Sequence, residues 1–166
     1  NIGNDLIIGG TGNDYINGAD GNDSIFGDHG SAIYYRESAR DGDLFSLFPE
    51  NGGADTIFGG QDADTIVASS GNHIVYGNVG NDSLTGSASA TAIYGGQGND
   101  RITDTITAGS IVNGGVGNDL LTLTDGGTNS GSTIAGGDGT DTVSIGAAFN
   151  FTGVSVSGVE TLAYTA

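Results

Sequence analysis

The chain repeats itself every nine residues, and that period leaves few folds open to it. Gly9-Gly10-Thr11-Gly12-Asn13-Asp14-Tyr15-Ile16-Asn17 recurs as Gly95-Gly96-Gln97-Gly98-Asn99-Asp100-Arg101-Ile102-Thr103, and Gly114 to Thr122 and Gly136 to Ser144 read the same way. The eighth place is aliphatic almost throughout: Ile7, Ile16, Ile25, Ile57, Ile66, Val75, Leu84, Ile93, Ile102, Ile111, Leu121, Ile134 and Val143. Places seven to nine read as short strands with one inward side chain each, because successive residues of a strand face opposite ways. The glycine-rich six residues between strands must reverse the chain. Their glycines reach positive φ, and Asn at the fifth place (Asn13, Asn22, Asn81, Asn99, Asn118) also tolerates left-handed geometry. Two repeats, 18 residues, complete one coil.

These residues match the nonapeptide G-G-x-G-x-D-x-U-x, with U aliphatic, and in this the chain resembles the RTX family of calcium-binding repeat proteins. The resemblance covers roughly 145 residues with four full matches, far more than a lone glycine-rich loop. It implies an all-β fold, a right-handed parallel β-roll with two nonapeptides per coil. It also implies an exported bacterial protein carried by a one-step (type I) secretion system.

A roll of this kind has a slender interior. Two ladder side chains per coil bury little apolar surface against the entropy of ordering 18 residues, and with no Cys in the chain disulfides cannot help. The sixth place holds Asp5, Asp14, Asp23, Asp55, Asp64, Asp82, Asp100, Asp119 and Asp141. Stacked coils bring such carboxylates within one strand spacing, a repulsive row unless a cation lies between them. Carboxylates and turn carbonyls make a hard, all-oxygen site, which suits Ca²⁺ better than Mg²⁺ or a transition metal. Several Ca²⁺ ions are therefore the expected cofactor, with these nine Asp residues as ligands.

Alternate repeats fall on opposite edges. One edge collects Asp64, Asp82, Asp100, Asp119 and Asp141, with ions expected between successive members and between Asp5 and Asp23. The other collects Asp55, His73, Thr91 and Gly109, followed by an enlarged turn from Leu123 to Ala135, so its metal sites should lapse after Asp55. Along that edge the inward ladder is expected to run through Val75, Ile93, Ile111 and Ile134. His73 is read as a turn cap.

The pattern divides the chain into a first block of coils (1–28), an insertion (29–50), a second block (51–144) and terminal capping strands (145–166). The insertion contains Tyr34, Tyr35, Phe45 and Phe48, and reads either as a flap over the roll or as a partner loop. Ninth places on the weak-metal side are Phe58, Tyr76, Tyr94 and Val112, beside Ile74. They form an outward apolar column that, with Tyr34 and Tyr35, is the candidate partner interface. On the other face Val67, Thr85, Thr103, Thr122 and Ser144 form a hydroxyl-rich row. The chain opens inside a repeat, which reads as a cut from a longer protein or as a coil completed by a neighbour.

Function classes narrow accordingly. The net charge is −17, there is no Lys, and the only cations are Arg36, Arg40 and Arg101, so a phosphate-binding surface for nucleic acid has almost nothing to be built from. No apolar run is long enough to span a membrane. Neither H-E-x-x-H nor G-x-S-x-G occurs, and the expectation is a non-enzyme. Two classes stay open. One is an extracellular, calcium-folded structural unit of a surface layer, sheath, fibre or adhesin, associating with itself or with surface proteins and glycans. The other is the calcium-dependent β-roll module of a secreted hydrolase or toxin.

Overall fold

The computed structural model describes residues 2–10, 12–28, 54–68, 71–89, 91–146 and 148–165. The insertion 29–50, with Tyr34 and Tyr35, lies outside the described residues. Strands alternate between two parallel sheets, as a nine-residue half-coil requires. The first sheet stacks β1 (Leu6–Gly10), β3 (Ser24–Asp28), β5 (Thr65–Val67), β7 (Ser83–Thr85), β9 (Arg101–Ile106), β11 (Leu120–Asp125), β13 (Thr142–Gly146) and β15 (Thr161–Thr165). The second stacks β2 (Tyr15–Asp20), β4 (Thr56–Gln61), β6 (Ile74–Val79), β8 (Ala92–Gln97), β10 (Ile111–Val116), β12 (Thr133–Asp138) and β14 (Ser155–Ser157). The chain is thus a parallel β-roll, a solenoid of about seven turns. The strand before the insertion, β3, pairs with β5, and β2 pairs with β4. The alternation of sheets is therefore the same before residue 29 and after residue 53.

Turns are tight because each packs on the backbone of its neighbour. Gly96 has φ +114°, and a Cβ there would run into the Asn78 carbonyl of the preceding coil. Asn at the fifth place does something other than adopt left-handed geometry: among described non-glycine residues only Ala19, Asp62 and Asn78 have positive φ. Its side chain links coils instead. Asn81 Oδ1 accepts the Asn99 N–H at 2.6 Å, and Asn99 Oδ1 accepts the Asn118 N–H at 2.7 Å.

The eighth-place ladder fills the interior, and Ile25, Ile57, Ile66, Ile93, Ile102, Leu121 and Ile134 are all fully buried. Two expectations need correction. First, Val112, not Ile111, continues the ladder: it pairs with Ile93 and Ile134 and is 0% exposed, while Ile111 faces outward in register with Ala92. One extra residue sits in the turn before β10, where the Ser110 N–H closes onto the Thr107 carbonyl, and this shifts the register by one. Ser110, not Gly109, then occupies the sixth place. Second, strands of the first sheet carry more than one inward residue: Ala68, Leu123 and Ile145 at the tenth place and Ile106 at the twelfth are buried. β11 runs on to Asp125, which shortens the turn expected from Leu123 to Ala135 to residues 126–132. That loop joins the first sheet to the second, so it leaves the Asp119 to Asp141 edge undisturbed.

The slip has a direct test. Val112→Asp should destabilise the roll by more than about 3 kcal/mol, since it buries an unpaired charge, and Ile111→Asp by about 1 kcal/mol. Denaturant unfolding in saturating calcium measures both, and equal effects would place the ladder at Ile111 after all.

Candidate metal centre

Each strand of the first sheet is preceded by a sixth-place acid, and stacking puts these acids in one column. The Asp5 N–H donates to Asp23 Oδ1 at 2.8 Å, Asp23 to Asp64 at 2.7 Å, and Asp64 to Asp82, Asp82 to Asp100, Asp100 to Asp119 and Asp119 to Asp141 all at 2.8 Å. The separations of 18, 41, 18, 18, 19 and 22 residues leave this geometry unchanged, because every insertion falls on the other edge. The Asp141 N–H continues the row to Glu160 Oε2 at 2.7 Å. Glu160 was not among the expected ligands, since its turn lacks the glycines. The signal was nonetheless present in Glu160-Thr161-Leu162, an acid two residues before an aliphatic that pairs in register with Val143.

One oxygen of each carboxylate is spent on this ladder. The second, Oδ2 of Asp23, Asp64, Asp82, Asp100, Asp119 and Asp141, is buried with no hydrogen-bond partner. What it faces is another acceptor. At Gly59 the place a Cβ would take is held by Asp64 Oδ2 and the Gly77 carbonyl oxygen of the next coil. The same convergence recurs at Gly18 (Asp23, Gly59), Gly77 (Asp82, Gly95), Gly95 (Asp100, Gly114), Gly114 (Asp119, Gly136) and Gly136 (Asp141, Gly158). Only glycine leaves room for the two oxygens, which accounts for the first glycine of each repeat. Among the described residues no three acidic or histidine side chains converge on one point. A cation at these corners would therefore draw on backbone carbonyls as well as carboxylates, the mixed oxygen set that suits calcium.

The energetics of the bare site point the same way. Burial pushes the Asp100 carboxyl up to about 7 and the Asp64 carboxyl up to about 6. N–H donors from the preceding Asp pull them back, while neighbouring carboxylates, Asp82 and Asp119 beside Asp100 and Asp82, Asp23 and Asp62 beside Asp64, push further up. Asp82 and Asp119 are raised, again chiefly by burial.

The opposite edge is shorter in acids. The Asp14 N–H donates to Asp55 Oδ1 at 2.9 Å, and Oδ2 of both residues is buried without a partner. The Asp55 N–H then donates to His73 Nδ1 at 3.2 Å. The same nitrogen lies 3.4 Å from Asp55 Oδ2. His73 takes the ladder place of an Asp instead of capping an isolated turn, and Thr91, Ser110 and Ser132 follow it. Of the proposed partner column, Phe58, Tyr76 and Tyr94 stack outward with ring centroids 5.0 Å apart and planes within 8° and 11°. Tyr15, not anticipated, extends the group at 5.3 Å from Phe58. Val112 does not belong to it, because the register slip turns it into the core and places Asn113 beside Tyr94.

The model of the RTX calcium-binding nonapeptide repeat matches residues 1–31, 51–72 and 67–102 in four copies, half of the chain. The chain belongs to this family of calcium-binding repeat proteins. Neither a curated protein nor a solved structure matches it.

The carboxyl pKa values give a pH test with a definite sign. Without metal, native Asp64 and Asp100 hold protons that the unfolded chain, near 3.9, gives up. Their contribution is thus fully present below about pH 4 and lost as pH rises through 6 and 7. A bound cation drives the same carboxyls below their unfolded value and reverses the trend. Circular dichroism in chelator should show strand signal falling from pH 5.5 to 8, whereas in saturating calcium it should fall on acidification. The same sign in both buffers would remove these carboxylates from the calcium sites.

Proposed function

We propose that this chain is a non-catalytic, extracellular structural β-roll that folds on taking up calcium and serves as a subunit or segment of a bacterial surface layer, sheath, fibre or adhesin. The observation that carries the reading is the row of buried carboxylate oxygens, each set against a carbonyl oxygen and none with a hydrogen-bond donor. Asp5, Asp23, Asp64, Asp82, Asp100, Asp119 and Asp141 would hold ions on one edge, with Glu160 closing the row, and Asp14 and Asp55 on the other. Bound calcium supplies positive charge between oxygens that otherwise repel. The chain's part is to fix those oxygens in register through the amide ladder.

Location follows from affinity. Extracellular calcium modules work at roughly 10⁻⁴ to 10⁻³ M, a concentration met outside the cell and not in cytosol. Ligand present only outside stabilises the fold only there. Among the described residues no helix is long and apolar enough to cross a membrane. The stacked face of Phe58, Tyr76 and Tyr94 supports self-association or docking of other surface proteins and glycans, since a continuous apolar column on an acidic surface suits a partner better than water.

Adding calcium to the unfolded chain is expected to produce strand signal in step with the uptake of several ions. Asp82→Ala and Asp100→Ala should each lower the ion count and raise the calcium midpoint several-fold. Sedimentation velocity and electron microscopy should then show elongated oligomers. A chain that stays monomeric at every calcium concentration would point instead to the β-roll module of a secreted hydrolase or toxin. Full structure in chelator would overturn the calcium reading itself.

A further inference from the structure

One buried acid belongs to neither carboxylate row. Asp104 lies at the tenth place of β9, an inward position, and is 2% exposed. The equivalent places in other coils hold Ala68, Gly86, Leu123 and Ile145, all apolar. Both Asp104 oxygens are buried, and no donor reaches either with good hydrogen-bond geometry. Room for the carboxyl comes from Gly86 in the coil before: a Cβ there would meet Asp104 Oδ1 and Ile93 Cδ1. This differs from the corners on the other edge in one decisive respect. At Gly59 and its five equivalents a carbonyl oxygen stands beside the carboxylate, while the closest atoms at Gly86 are the carboxyl itself and an aliphatic methyl. At that point a cation would find one carboxyl and an aliphatic methyl, without the carbonyl oxygen of the other corners. A proton needs no more than the carboxyl.

We propose that Asp104 is a proton-loaded carboxylic acid of the core, and that it gives the roll a pH response opposite in sign to that of its calcium-facing edge.

The surroundings agree. In β7 and at Gly86 there is no titratable group. The one acid of β11, Asp125, accepts the Gly127 and Asn150 N–H groups with its two oxygens. β10 has no titratable side chain, the Tyr94 ring of β8 faces outward, and Arg101 on Asp104's own strand is exposed. Burial alone pushes the Asp104 carboxyl up to about 8, with the N–H of Thr105, next in the chain, pulling it only part of the way back and no charged neighbour contributing. An acid raised in the native state stabilises fully below its unfolded value, and that contribution is lost as pH rises through the native one. Calcium-bound carboxylates do the reverse. Between about pH 6 and 8, with calcium saturating, the bound carboxylates stay ionised in both folded and unfolded chains, so the slope from Asp104 stands alone once a variant lacking it is subtracted.

The test compares the whole chain with Asp104→Asn, and with Asp104→Leu in case the amide is not tolerated, by reversible urea unfolding in saturating calcium from pH 6 to 8. The folding constant of the parent relative to either variant should fall about tenfold from pH 6 to 7 and about fivefold more by pH 8. Bound calcium, counted by elemental analysis, should be equal in all three proteins. A ratio independent of pH would overturn the proposal. So would the loss of one ion from either variant, which would make Asp104 a ligand. Because all proteins are compared at one calcium concentration, failure here is distinguishable from failure of the calcium reading, which shows in the parent chain's own response to chelator.

Discussion

The roll depends on a carboxylate whose two oxygens are put to different uses. Oδ1 accepts the N–H of the preceding Asp and fixes the stacking of one coil on the next. Oδ2 is left against a carbonyl oxygen, with no donor in reach. Had the sixth place been Asn, its amide could have donated to that carbonyl and the corner would have closed without an ion. Asp retains the ladder and turns the second contact repulsive once it is ionised, which is the ground for the calcium dependence proposed above. The first glycine of each repeat follows from the same corner, because any Cβ would displace the oxygens that a cation needs.

Much of this was legible in the sequence, since the informative spacing is local. An acid that follows a glycine-rich turn and stands two residues before an aliphatic one marks the strand entry, and so the row from Asp64 to Asp141 survives spacings of 18, 18, 19 and 22. The reading failed where two adjacent residues fitted the ladder equally well. Ile111 and Val112 are both aliphatic and β-branched, and only the turn at Thr107 to Ser110 decides which faces in. Leu121-Thr122-Leu123 and Val143-Ser144-Ile145 show the period-two alternation of a longer strand, yet a repeat of nine drew attention to the eighth place alone. Asp104 was illegible for a different reason: nothing in its neighbours marks an acid as inward until β9 is known to continue to Ile106.

The two edges are closed by different physics. On the first, carboxylates run from Asp5 to Glu160 without a break. On the second they end at Asp55, and from there hydroxyls and backbone do the stitching. Thr91 Oγ1 donates to the Ser89 carbonyl at 2.9 Å, Ser110 Oγ accepts the Thr107 N–H at 3.0 Å, and Ser132 Oγ donates to the Thr107 carbonyl at 2.6 Å. These turns are closed by hydrogen bonds from hydroxyls and backbone and not by stacked carboxylates, so they hold their shape without an ion. They are also free to vary in length, as the loop 126–132 shows.

Core thickness changes along the rod in the same sense. The first coils carry one buried aliphatic per strand and acids on both edges, whereas β9, β11 and β13 add Ile106, Leu123 and Ile145 to the ladder and have acids on one edge. Each added side chain buries more apolar surface per ordered residue, and each lost acid removes a repulsion, so the calcium dependence proposed above should weaken from the first coils toward the last. Stacking then links the two regimes. A late coil that is already ordered presents the next carboxylate Oδ1 at the height where an earlier Asp N–H has to donate. Order gained where the core is thick thereby lowers the entropic cost of closing the thin coils, and calcium bound at one corner fixes one side of its neighbour.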